Sequence, residues 1–334
     1  VESSSRVTIK DVAAQAGVSV ATVSKVINSR YGVSATTFAH VRAVIAEMGY
    51  EASLVAQSLR NLRTNVIGIL VADIEPFSTE LLKGAAKAIK GTGFELVVYS
   101  AGGRTSEHEG WERRYLSRLS GTLIDGAVIV TPTVVDVHYG APIVAVDPHT
   151  GPTDLPTIDS DNLHGARLAT EHLIALGHRR IAMLSGRADL QSSHLREGGY
   201  RRALAGLEPL IRVGGYDPAV AADAARELLG SAERPTAIFA ANDVSAIATI
   251  DVARELGLRV PEDLSVVGFD NIPEAALCEP ALTTVEQPLH DMGRLAIDMV
   301  VSLIRGEPVE KTHITLPTRL VVRQSTREPG VTPG

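Results

Sequence analysis

Hydrophobic positions along the first fifty residues follow a helical rhythm. Ile9, Val12, Ala13 and Ala16 fall on one face of a predicted helix over 9–16, and Thr8 with Asp11 has the spacing of a capping box at its start. Gly17 supplies the backbone freedom of a sharp turn. Ser19 can cap a second helix, in which Val23, Val26 and Ile27 repeat the apolar spacing. Val20, Ala21, Thr22, Ser24, Lys25 and Asn28 are left facing outward. They are small, hydrogen-bonding or cationic, with no acid, which is the surface a helix needs to read a DNA groove. A third helix over 34–48, capped by Ser34 and stopped by Gly49, completes a three-helix core with Val41, Val44, Ile45 and Met48.

Beyond residue 63 the rhythm changes to short apolar runs alternating with helical stretches. Strands are predicted over 66–72, 94–100, 127–131, 143–147, 180–185, 237–241 and 264–269. Helices are predicted over 80–90, 107–119, 162–176, 196–207, 224–229, 244–256 and 289–305. Strands apolar on both faces between helices imply doubly wound parallel sheets. The 270 residues after position 64 exceed one comfortable sheet, so two α/β lobes with a cleft are expected.

Ligands of such sheets sit beyond the carboxyl ends of the strands, which selects the loops 73–79, 147–149, 186–196, 242–243 and 270–271. Asp73, Asp147, Arg196, Asn242, Asp243 and Asp270 concentrate there, and Phe77 and Tyr216 add flat apolar faces. Carboxylates, amides, a guanidinium fork and an aromatic platform suit a sugar or similar polyol. The competing reading is that Asp and Asn after strands cap the next helix.

Charge is uneven. Residues 1–64 hold seven Lys/Arg against four Asp/Glu, a net of +3, and the remainder holds 25 against 35, a net of −10. The basic head can neutralise phosphates while the acidic remainder discourages non-specific nucleic-acid binding. A single cysteine, Cys278, excludes an internal disulfide framework and suits a reducing compartment. No apolar leader precedes the helical head, and VIGILVA, FELVVY, GAVIVT and APIVAV are strand-length, so a soluble cytoplasmic protein is expected. The ten histidines are scattered, and no HExxH, GxxxxGK[ST] or GxSxG motif occurs, so no enzyme, metal site or cofactor is expected. His172 and His178 suggest surface or capping roles, His149 a loop position at the cleft border, and Glu112, Arg113 and Arg114 a solvated helix face.

Several motifs carry a family resemblance. TIKDVAAQAGVSVATVSKVIN at 8–28, VSATTFAHVRAVIAEMGY at 33–50 and LVAQSLR at 54–60 are followed by DNLHGARLATEHLIALGHRRIAML, FAANDVSAIA, VPEDLSVVGFDN and ALTTVEQPLHDMGRLA. In this order they resemble the lactose-repressor/galactose-repressor family of bacterial transcription regulators over nearly the whole chain. The resemblance implies a small all-α helix-turn-helix head plus an α/β periplasmic-binding-protein-like core of two doubly wound Rossmann-like subdomains. It places a DNA-binding domain at 1–51, a hinge helix and linker at 52–64 and an effector-binding core at 65–334. Within the core, the N-subdomain would be 65–161 and 288–317 and the C-subdomain 162–287 and 318–327, with crossovers near 162, 288 and 318.

Roles follow by position. Val20, Ala21 and Lys25 stand where the family reads base edges, and Thr8, Ser19, Thr22, Ser24, Asn28, Ser34 and Thr37 where it contacts the DNA backbone. Phe38 stands where many members carry a basic residue. Leu59, in a hinge over 53–60, would enter a minor-groove base step. Phe77, Ser78, Asp147, Ser192, Arg196, Tyr216, Asn242, Asp270 and Gln287 match effector-contacting positions. The implied protein is an allosteric homodimeric repressor released from a pseudo-palindromic operator by a sugar. The alternative is a repressor that needs a corepressor such as a purine. A solute-binding protein shares the core but not the helical head.

Overall fold

The computed structural model describes residues 7–27, 31–50, 63–102, 111–119, 123–133, 140–149 and 154–329. It divides into two compact units, Val1–Thr64 and Asn65–Gly334. The predicted hinge over 53–60 lies outside the described residues.

In the first unit three helices, α1 (Ile9–Gln15), α2 (Val20–Ile27) and α3 (Ala35–Glu47), pack around Val12, Val23, Val26 and Val41, all fully buried. The Thr8 amide and hydroxyl both donate to Asp11 Oδ2 at 2.7 Å, closing the capping box on α1. The Ser34 hydroxyl accepts from the Thr37 amide at 3.2 Å and caps α3. Gly17 takes the left-handed conformation at φ 64°, which a side chain would disfavour.

The second unit holds two six-stranded sheets. The first is built from β1 (Val66–Val71), β2 (Glu95–Ser100), β3 (Gly126–Val130), β4 (Ile143–Val146), β5 (Thr157–Ser160) and β11 (His313–Leu316), in the order β11-β5-β4-β3-β1-β2. The second takes β6 (Ile181–Ser185), β7 (Leu210–Val213), β8 (Ala237–Ala240), β9 (Ser265–Asp270), β10 (Thr283–Glu286) and β12 (Arg319–Val321), in the order β12-β10-β9-β8-β6-β7. All pairings are parallel except β10 with β12. Each lobe therefore repeats one doubly wound order, with the reversal beside β1 and beside β6. Every residue of β1, β3, β6 and β9 is buried, as strands covered on both faces require.

The chain passes between the sheets after β5, after β10 and between β11 and β12. Helices α4 (Pro76–Ala88), α5 (Trp111–Leu119) and α11 (Leu289–Arg305) cover the first sheet; α6 (Asn162–Ala175), α7 (Gln191–Ala203), α8 (Pro218–Leu229), α9 (Asp243–Glu255) and the short α10 (Pro273–Leu277) cover the second.

Several elements differ from the periodicity reading. Helix α4 starts at Pro76 rather than 80 and α7 at Gln191 rather than 196, so Phe77, Ser78 and Ser192 lie on helices and not in loops. Strands β5, β7, β10, β11 and β12 were not predicted. Thr157–Ser160 and Thr283–Glu286 are rich in hydroxyl and charged residues, while β7 (Leu-Ile-Arg-Val) and β12 (Arg-Leu-Val) are short strands at the ends of their sheet. Glu112 is buried and accepts from the Thr133 hydroxyl at 2.8 Å, so α5 does not present it to solvent. His178 is also buried, bonded to Thr236, Ser265 and the Arg327 carbonyl, where it clips the chain after β12 onto the second sheet. Among the described residues, no helix is long and apolar enough to cross a membrane.

Helices α4 and α11 meet at backbone distance. A Cβ at Gly84 would lie 2.1 Å from the His290 carbonyl oxygen, and one at Gly293 2.1 Å from that of Leu81. Gly293→Val therefore forces two packed helices apart, and a loss of about 1–3 kcal/mol in urea unfolding of the second unit is expected. An unchanged midpoint would show that the helices separate without cost.

Candidate functional site

On the head, Ala21 and Lys25 project from α2 into solvent, whereas Thr22 and Ser24 are half-buried. Val20 is half-buried too and packs on the head core, so it presents less surface than the helical spacing implied. Phe38 joins the same core. The hydroxyls of Ser19 and Thr22 pair at 2.9 Å and those of Ser34 and Thr37 at 2.8 Å, at the starts of α2 and α3. Thr8, Ser19 and Ser34 are thus helix caps, their hydroxyls accepting from first-turn amides of α1, α2 and α3. The Lys25 ammonium lies 3.5 Å from the point a Cβ at Gly32 would occupy. Asn28 and Leu59 lie outside the described residues.

In the second unit a cavity of about 340 Å³ opens between the lobes at the strand carboxyl ends. Asp73, Thr131 and Asp147 enter from the ends of first-sheet strands and Arg187, Asn242 and Asp270 from those of the second; Phe77 and Ser192 come from helix starts, Arg196 from within α7 and Tyr216 from a loop. Thr131, Asp147, Tyr216 and Asp270 all have positive φ, at 49°, 49°, 62° and 116°. Of the seven described non-glycine residues in that region, four line this one cavity, so backbone strain concentrates where side chains must be aimed inward.

Arg196 is the centre of the arrangement. It is only 3% exposed. Its Nε donates to Asn162 Oδ1 at 2.8 Å and its Nη1 to the Ala241 carbonyl, and Nη1 lies 3.6 Å from Asp270 Oδ1. The guanidinium stacks over the Phe269 ring at 3.8 Å and faces Tyr216 at 5.4 Å. Nη2 makes no hydrogen bond among the described residues, which leaves one donor edge for a ligand.

The acids around it are held above the usual carboxylate range. Burial raises Asp147, with Arg196 and a Ser192 hydrogen bond opposing. Burial likewise raises Asp270, against Arg196 and Gln287, and the Glu75 and Asp147 charges add to the shift. Burial and then Asp73 raise Glu75. Burial drives His149 down to about 4, so the imidazole is neutral at physiological pH. The Tyr216 hydroxyl, beside Ser192, is buried without a hydrogen bond of normal geometry. Its ring fits only because residue 186 is glycine: a Cβ there would lie 2.2 Å from Tyr216 Cζ.

Seven of the nine residues assigned by resemblance line the cavity, and two stand behind it. Ser78 is buried under the loop, donating to the Asp73 carbonyl at 2.8 Å and accepting from the Glu75 amide at 3.0 Å. Gln287 donates to Asp270 Oδ1 at 2.6 Å and accepts from the Ser160 hydroxyl, linking the second crossing to the ends of β9 and β5. Asn242 serves twice: its Oδ1 caps α9 through the Ser245 amide at 3.1 Å while the residue faces the cavity. Asp243 does not line it. Its carboxylate is internal and accepts from the Ile272 amide at 2.9 Å and the Thr284 hydroxyl.

Glu75, Thr131 and Arg187 line the cavity without having been singled out, and His149 is buried there rather than exposed. The signal for Glu75 was Pro76 behind it, a proline at the first helical position. Among the described residues, no group of three or more acids, histidines and cysteines is placed to hold a metal.

Residues 8–53 match the lacI family of bacterial regulatory proteins, and residues 170–326 match a periplasmic binding protein-like domain. The chain is 35% identical to the ribose operon repressor of Halalkalibacterium halodurans over 96% of its own length and 97% of that protein. It is 38% identical to the HTH-type transcriptional regulator CelR of Thermobifida fusca, covering 96% and 98%. The lac repressor dimer bound to operator and the anti-inducer ONPF superposes with a TM-score of 0.82 at 30% identity, over 97% of this chain and all of that one.

Asp159, on β5 behind the cavity, offers a test of these electrostatics. Burial and Asp147 push its carboxyl from 3.8 up to about 7, and it has no hydrogen bond or ion pair among the described residues. Because the folded value is the higher one, the stability linked to this group is present at low pH and lost as pH rises through the folded value. Asp159→Asn should therefore raise the melting temperature more at about pH 8 than at about pH 5. An equal change at both would show that the carboxyl titrates normally.

Proposed function

Since the chain belongs to the lacI family of bacterial regulatory proteins, we propose that it is a sequence-specific DNA-binding repressor released from its operator by a sugar. One observation carries the effector half of this reading: Asp147, Arg196, Asn242, Asp270, Phe77 and Tyr216, far apart in sequence, converge on a single cleft between two lobes. Paired acceptors, an Arg donor edge and aromatic faces are what a polyol's hydroxyls and apolar ring face require. The number of carboxylates favours hydroxyl donors over the flat acceptor-rich ring of a purine. Relatives named for ribose and cellobiose responses support the same class.

In this reading two heads of a homodimer engage the half-sites of a pseudo-palindromic operator. Lys25 and Ala21 face base edges, with Val20 in apolar support. Thr8, Ser19, Thr22, Ser24, Asn28, Ser34 and Thr37 set register on the phosphates, and Leu59 wedges the minor groove. Sugar in the cleft favours a lobe arrangement that the operator-bound dimer does not, so the two ligands oppose each other through one reciprocal coupling free energy.

Titration of neutral pentoses, hexoses and disaccharides against protein bound to a fluorescent operator tests the proposal, with a fall in affinity of about 5–150-fold expected for the effector. If no sugar weakens binding, induction is wrong. Arg196→Ala should abolish that response while operator affinity stays near the parent value; loss of operator binding in a protein that still melts cooperatively would contradict the assignment. Lys25→Ala should weaken the specific site by about 1–3 kcal/mol more than random DNA. Equal weakening of both would make Lys25 a phosphate contact.

A further inference from the structure

The cleft is built against negative charge. Among the described residues five carboxyl groups line it, from Asp73, Glu75, Asp147, Asp217 and Asp270, against two guanidiniums. Both guanidiniums are engaged by the protein: Arg187 holds Asp189 in a fork at 3.1 and 2.6 Å, and Arg196 is spent on Asn162, the Ala241 carbonyl and the Phe269 ring. Helix starts, the other anion receptors in such folds, are partly occupied as well. Helix α4 begins with Pro76, which has no amide hydrogen. Asp217 takes the first free amides of α8, at 2.8 and 3.0 Å, and Asn242 takes one on α9. The Gln191 amide at the start of α7 donates across the cleft to the His149 carbonyl at 3.0 Å. What remains for a ligand is one Arg edge, the Tyr216 ring and a surplus of acceptors.

We propose that this cleft accepts a polyol carrying no phosphate or carboxylate, and that Glu75 is the residue that keeps the anionic analogues out. The proposal rests on the sugar reading of the site and narrows it to neutral and amino sugars. Glu75 is singled out because the other acids are offset or occupied. Asp147 and Asp270 share Arg196, Asp217 caps α8, and Asp73 accepts from the Ile74 amide at 2.8 Å. Glu75 forms no ion pair among the described residues; the charge of Arg187, itself forked to Asp189, opposes the upward shift that burial and Asp73 give it without touching it. Its charge also reaches Asp270 in the opposite lobe, whose carboxyl is already pushed up to about 7, so an anion entering the cleft would meet Glu75 and drive Asp270 further toward its protonated form. That anion must either face the carboxylates or bring protons in with it, and both cost affinity. A ligand ammonium would be drawn in by the same field.

Calorimetric titration of the full chain with matched ligands decides the matter. The probes are ribose with ribose 5-phosphate, and glucose with glucose 6-phosphate, glucuronate, glucosamine and 6-O-methylglucose, the ether controlling for bulk. For whichever parent sugar binds, the phosphate or uronate should bind at least about tenfold more weakly, a difference of about 1.4 kcal/mol, while the ether stays near the parent and the amine binds at least as well. Glu75→Gln should narrow that gap severalfold, and Asp73→Asn, beside it, should do so in smaller measure and serves if the first variant does not fold. A phosphate or uronate that binds as well as its parent, or an ether excluded as strongly as the anion, overturns charge selection and leaves the sugar reading standing. A gap unchanged in the folded variants overturns the role of Glu75. If neither these probes nor any of the pentoses, hexoses and disaccharides titrated above binds, the sugar reading fails and the selection falls with it.

Discussion

A buried guanidinium between two lobes is the interaction on which the core depends. Arg196 leaves water almost completely, a transfer that is costly unless hydrogen bonds and opposite charge replace the solvent. Replacement comes from four places in the chain: Asn162 at the first crossing, the Ala241 carbonyl at the end of β8, Phe269 on β9, and Asp270 beside it. These are also the points at which the second lobe is tied together. Removing the cation would leave Asp147 and Asp270 without their offsetting charge in the same cleft.

The polar residues at the strand ends do two jobs. Asn242 caps α9 and Asp217 caps α8 while both face the cavity. Capping and facing the cavity are therefore not alternatives here, because a cap uses one oxygen and leaves the rest of the group pointing off the helix end. Ser160, Gln287 and Asp270 extend the pattern across a crossing. The amide of Gln287 spans the ends of strands in different sheets, so any change at Asp270 is felt at a segment joining the lobes.

Local rules made the head legible. Thr8 and Asp11, Gly17 and Ser34 each act within a few residues of themselves, so their caps and turns form as the spacing implied. Short apolar strands such as Val66–Val71 were legible for the same reason, being buried on both faces. Strands made of Thr, Asp and Glu were not, because their pairing partners lie more than a hundred residues away in β11 or across a crossing in β12. Helix starts at Pro76 and Gln191 were read late, since Ser192 and Ser193 look like loop residues although the folded chain buries both.

From its residues alone the chain determined a three-helix head with a cationic, acid-free reading surface, two alternating α/β lobes, and most of the polar groups at their strand ends. Tertiary structure decided which of those groups face the cleft. It turned Ser78, Gln287 and Asp243 inward as supports, buried His149, and brought Glu75 and Arg187 to the cavity. The reason is physical. A residue's reach along the chain is set by its own backbone, whereas its share of charge, solvent and neighbours is set by strands that meet it only after the lobes have folded.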